Sequence, residues 1–144
     1  MAYPEYFIEP MRAELTRHGV EEARSPEDVD RMLSADSGTV MMVVNSVCGC
    51  AAGKARPGIV DSLQHEVKPD RVGTVFAGGD TEATARLREI LSDYPPSSPS
   101  VAIFRDGKPV YMMPRGDIEA NGPGEISQRL RQAFDEHCAT VETE

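Results

Sequence analysis

Residues 39–46 read TVMMVVNS, with five consecutive valines and methionines and no charge. A strand with one wet face alternates polar and apolar side chains, whereas this run is apolar at nearly every position. It is expected to be covered on both faces, and so to be a central and parallel strand. Two covering layers are then required, and the rest of the chain supplies them. Residues 4–18 suit a helix, with Phe7, Ile8, Met11 and Leu15 at helical spacing and Gly19 at its end. A short edge strand over 20–23 follows. Ser25-Pro26-Glu27-Asp28 has the form of a helix start, with Ser at the N-cap and Pro at the first position, and this helix runs to about Leu33.

After the apolar run, residues 48–67 place Ala52, Ala55, Ile59, Val60 and Leu63 at helical spacing, with a kink predicted at Pro57. A second strand over 71–78 leads to a helix over 81–94, capped by Asp80 or Thr81. The runs 100–104 and 109–113 flank Arg105-Asp106-Gly107-Lys108, and Asp-Gly between apolar runs signals a hairpin. A last helix over about 124–138 carries Ile126, Leu130 and Phe134 on one face. Strands alternating with helices and ending in a hairpin imply an α/β fold with a mixed central sheet flanked by helices. Residues 1–144 read as one domain, with a helical N-terminal extension over 1–35 and a core over 39–138.

With 24 acidic and 15 basic residues the formal net charge is −9. This argues against nonspecific nucleic-acid binding, which depends on neutralising phosphates with Lys and Arg. No run approaches the roughly 18 apolar residues of a membrane span. The start, MAYPEYFIEPMRAEL, lacks the basic and apolar regions of a secretory signal, so a cytoplasmic location is expected. Three cysteines are too few for a disulfide scaffold.

Two of them, Cys48 and Cys50, sit one residue apart where the buried strand gives way to a helix. A cysteine reacts as the thiolate, and a helix start offers unpaired N–H groups and the positive end of the dipole. A depressed pKa is therefore expected for Cys48. Lys54 and Arg56 act at longer range or are solvated surface charges. Residues two apart fall about 5.5–7 Å apart, overlapping the disulfide window of roughly 4.4–6.8 Å. The ring would be small, with Gly49 suited to the close turn, and such a bond suits a centre that opens and closes. A zinc site needs a second ligand pair, and the only candidate is His137-Cys138. That alternative is a metal- or thiol-binding module without turnover. Asn45 and Ser46 read as helix-capping residues. Cys138 reads as a half-buried or exposed spare thiol, and His18, His65 and His137 as helix-end residues.

The element order and the cysteine pair resemble a thioredoxin-like three-layer fold with extra N-terminal helices. That resemblance implies a cis-proline before the third core strand, and Pro99 in SPSVAIFRDGKPVYMM holds the position. From about Tyr3 to Cys138 the chain resembles the bacilliredoxin family, through VVNSVCGCAAGKARPG, TVFAGGDTEATARLREI, YPPSSPSVAIFRDGK and AFDEHC. The resemblance implies a thiol–disulfide oxidoreductase that removes bacillithiol from mixed disulfides on cytosolic proteins, with disulfide isomerase activity also compatible. It makes Cys48 the attacking sulfur and Cys50 the resolving one. Gly49, Ser98 and Pro99 would shape the substrate groove, with Ser98 offering its main chain to a bound strand. No tightly bound cofactor or metal is expected, and bacillithiol enters as co-substrate.

Overall fold

The computed structural model describes residues 3–139. Its five strands are β1 (Glu21–Glu22), β2 (Thr39–Asn45), β3 (Arg71–Phe76), β4 (Ser100–Arg105) and β5 (Lys108–Met113). They form one sheet in the order β1-β3-β2-β4-β5, with β1, β3 and β2 parallel and β4 and β5 antiparallel. The apolar run is the central strand, buried along its whole length. Its alternation divides the core: Val40, Met42 and Val44 enter one layer, Met41 and Val43 the other.

Six helices complete the layers: α1 (Glu5–Thr16), α2 (Pro26–Met32), α3 (Arg56–Ser62), α4 (Thr81–Ile90), α5 (Arg115–Ala120) and α6 (Pro123–His137). α2 and α4 pack Val29, Met32, Ala83 and Leu87 on one face of the sheet. α1, α3, α5 and α6 bring Leu15, Ile59, Ile118, Ile126 and Phe134 to the other. The expected cap of α2 is present, Ser25 accepting from the Asp28 N–H at 3.1 Å. In the hairpin, Asp106 and Gly107 have φ of 51° and 83°, the two left-handed residues of a type I′ turn.

Three local features depart from the expectations above. The helix at Pro57 does not simply kink: residues 51–55 form a π turn ahead of it, which accommodates a ring that lacks an N–H. An i→i+5 turn holds one more residue than an α turn, so the buried face shifts. Ala51, Ala55 and Arg56 are buried and Ala52 is exposed. Second, Asp80 stands at the N-cap of α4 without capping it. Its carboxylate accepts instead from Arg12 at 2.8 Å and from the Phe76 N–H at 3.1 Å. Third, α5 has no counterpart in the sequence reading. It is a turn and a half long and buries one apolar residue, Ile118, too little to show a period.

Candidate active site

β2 delivers Asn45 at the end of the central strand, and the chain turns through Ser46 and Val47 to the cysteines. Helical structure begins at Gly49, and the Cys48 carbonyl accepts from the N–H groups of Ala51 and Ala52. Cys48 thus stands at the helix start, as expected. Cys48 and Cys50 are disulfide-bonded with their Cα atoms 5.4 Å apart. Both are partly exposed, and Cys50 packs against the core cluster that contains Ile59 and Ile126. The two sulfurs therefore differ in surroundings. Gly49 is exposed and helical, not in an unusual conformation, and a Cβ there would meet nothing within 4 Å.

The register of β2 with β4 sets Val44 opposite Ser100, which brings the Ser97–Pro99 segment beside the turn that carries Cys48. The Ser98–Pro99 peptide is cis and Pro99 is buried. The main chain of Ser98 is expected to meet a bound strand; of its two peptide groups the carbonyl already accepts from Arg115 Nη1 at 3.2 Å. The Arg115 N–H donates to Ser97 Oγ at 3.3 Å. From the other side of the site, Lys54 Nζ donates to the Glu119 carbonyl at 2.6 Å. α5 thus bridges the proline segment and the helix that bears the cysteines.

Asn45, Ser46 and Arg56 depart most from expectation. Arg56 is 2% exposed and is no surface charge. It donates to Glu14 Oε1 at 2.8 Å, to Asn45 Oδ1 at 2.9 Å and to the Ser46 carbonyl at 2.8 Å. Asn45 and Ser46 do not cap the helix. Asn45 Oδ1 also accepts from the Ser46 N–H, its amide donates to the Met11 carbonyl, and Ser46 Oγ lies 3.5 Å from Cys48 Sγ. A polar residue closing an otherwise apolar buried strand was the one sequence signal for this network. Arg56 carried none, because its burial follows from the π turn.

Cys138 ends α6 beside Thr39, at the opposite end of β2. Six strand steps of about 3.3 Å separate Thr39 from Asn45, roughly 20 Å. The His137-Cys138 pair is therefore not brought to Cys48 and Cys50. Among the described residues no group of three or more His, Cys, Asp and Glu is placed to hold a metal ion, and no helix is long and apolar enough to cross a membrane. His65 lies 2.8 Å from Asp135 of α6, and among the described residues no histidine is hydrogen-bonded to either cysteine.

The family model described as "Disulphide isomerase" matches residues 3–138. A bacilliredoxin of Koribacter versatilis is 53% identical over 139 residues, covering 96% of each chain. A bacilliredoxin of Halalkalibacterium halodurans is 48% identical, covering 96% of this chain and 98% of its own. Among solved structures, the oxidised thioredoxin of Plasmodium falciparum superposes with a TM-score of 0.56 at 15% identity, over 83% of this chain and 99% of that one. The thioredoxin of Fasciola hepatica superposes equally well at 16% identity, over 82% and 99%. At these identities the structural likeness establishes the thioredoxin-like fold.

Proposed function

This chain belongs to the bacilliredoxin family, and from that premise we propose that it is a thiol–disulfide oxidoreductase that strips bacillithiol from mixed disulfides on cytosolic proteins. The observation that carries this reading is the Cys48–Cys50 bond at a helix start, with Cys48 in the turn whose carbonyl receives the first helical N–H groups and Cys50 against the core. The Cys48 thiolate attacks the bacillithiol sulfur of the mixed disulfide. The substrate's sulfur leaves as a thiolate and takes up a proton, and Cys48 carries the bacillithiol. The Cys50 thiolate then attacks Cys48, releasing bacillithiol as its thiolate and closing the Cys48–Cys50 bond. Alternatively a second bacillithiol attacks the carried one and leaves as bacillithiol disulfide. After the first route, two electrons from a low-molecular-weight thiol reopen the bond. Exchange of this kind is reversible, so disulfide isomerisation is open to the same pair.

In this reading Gly49 and Ser98 face the substrate, and the buried Pro99 shapes the groove from beneath. The exposed Gly49 leaves space beside the sulfurs, and Ser98 precedes the cis-proline. Bacillithiolated proteins and the free thiol are the partners, and the cytoplasm, kept reducing, is the compartment in which such a pair recycles. Intact-mass analysis tests the proposal. Reduced Cys50→Ser protein mixed with a bacillithiolated protein is expected to gain one bacillithiol on Cys48 while the substrate loses it. Absence of the adduct would overturn the bacillithiol assignment. Cys48→Ser is expected to abolish transfer, and Cys50→Ser to keep part of it with bacillithiol supplied; equal losses would remove the division of roles.

A further inference from the structure

We infer that Arg56 is a positioning residue for Cys48, acting through Ser46. The inference rests on the reading above only for Cys48 being the reacting sulfur. A guanidinium withdrawn from water has to be met by acceptors. Arg56 meets three, and two of them belong to Asn45 and Ser46, in the segment that joins the central strand to the cysteines. Both peptide groups of Ser46 are thereby held by one network. Its N–H donates to Asn45 Oδ1 at 2.9 Å and its carbonyl accepts from Arg56 Nη1 at 2.8 Å. The Asn45 amide, donating to the Met11 carbonyl at 3.3 Å, ties the same hub to α1.

With its backbone held, Ser46 points its hydroxyl at Cys48 Sγ, 3.5 Å away. A disulfide sulfur is a weak acceptor and a thiolate a strong one, so this donor favours the reduced, ionised Cys48 over its thiol. Arg56 does not act as a bare cation, because Glu14 of α1 neutralises it at 2.8 Å. The other charges on elements flanking the pair are also engaged or offset. Lys54 rests on the Glu119 carbonyl, and Arg115 pairs with Glu119 at 2.9 Å on α5, which also carries Asp117. The fork of the guanidinium is the useful property, since a lysine supplies the charge without spanning Asn45, Ser46 and Glu14 together.

The test is the rate of iodoacetamide alkylation against pH, with Cys50 and Cys138 changed to Ser so that Cys48 is the only thiol. Ser46→Ala is expected to raise the pH midpoint by about one unit. Arg56→Lys is expected to raise it by about half a unit, and to add nothing in the Ser46→Ala background. An unmoved midpoint in Ser46→Ala overturns the inference. So does an Arg56→Lys shift of equal size in both backgrounds, or a lowered thermal midpoint with no pH shift, the mark of a purely structural role. If Arg56→Lys does not fold, Arg56→Gln is read in the same cycle. Iodoacetamide needs no bacillithiol, so this result stands apart from the co-substrate assignment.

Discussion

Gly49 separates the two sulfurs, yet nothing in its backbone demands glycine: it is helical and a Cβ there has open space. Gly49→Ala is therefore expected to leave stability unchanged or raised by up to about 1 kcal/mol, since alanine is the better helix former. Urea denaturation of the reduced protein measures this. If the space beside the pair serves an approaching protein, the same variant slows exchange with a protein mixed disulfide while Cys48 alkylation by iodoacetamide is unchanged. At this scale sequence reasoning found the two cysteines and Pro99 from spacing and resemblance. The capping roles expected for Asn45 and Ser46 and the surface alternative for Arg56 fail, because hydrogen bonds between residues 45 and 56 depend on how the helix is phased against the strand.

At the scale of elements, the π turn and α5 build the surroundings of the pair. α5 holds the Ser97–Ser98 segment through Arg115 and the helix of the cysteines through Lys54. Arg115→Ala releases one side of that bridge. Re-ordering two loop residues costs on the order of 1 kcal/mol, so KM for a peptide disulfide is expected to rise about fivefold, with Cys48 alkylation unchanged. An unchanged KM would mean that Arg115 does not order the groove. The contact between α3 and α6 is closer still. A Cβ on Gly58 would lie 2.8 Å from Ile126 Cγ2 and 3.0 Å from the Pro123 carbonyl. Gly58→Ala is expected to cost about 1–3 kcal/mol of stability by forcing the helices apart, measured by thermal or urea denaturation.

Across the whole molecule, a buried ion pair joins the first helix to the turn between β3 and α4. Arg12 and Asp80 have side chains 5% and 4% exposed and meet at 2.8 Å. Glu5 and Glu22 complete the shell of Arg12, and Arg24 adds a second cation 3.5 Å from Asp80. Arg12→Met leaves the buried carboxylate with the Phe76 N–H and, as its only cation, the more exposed Arg24, and a loss of about 3 kcal/mol is expected in urea denaturation. At the far end of the sheet, burial raises the pKa of the Cys138 thiol, against donation from Thr39 and the charge of Arg105, which lower it. The folded protein then keeps this proton longer than the unfolded chain. The stability it contributes is full below the ordinary thiol value of about 8.5 and is lost as pH rises through the folded value. Urea midpoints are expected to fall from pH 7 to pH 10, and to fall less in Cys138→Ser. Tyr111, raised by burial as well, retains part of the loss.

The order of the elements other than α5, the central strand, the hairpin and the place of the cysteine pair at a helix start are all legible in the sequence. Each is written in local pattern: an unbroken apolar run, Asp-Gly between strands, Ser-Pro-Glu-Asp at a cap, two cysteines at a strand exit. What stands behind the sulfurs is set by packing. A π turn ahead of Pro57 turned a charged side chain inward, and α1 supplied Glu14 to receive it. Interactions between residues 14, 45, 46 and 56 are distant in the chain, and their partners are chosen by packing rather than by propensity.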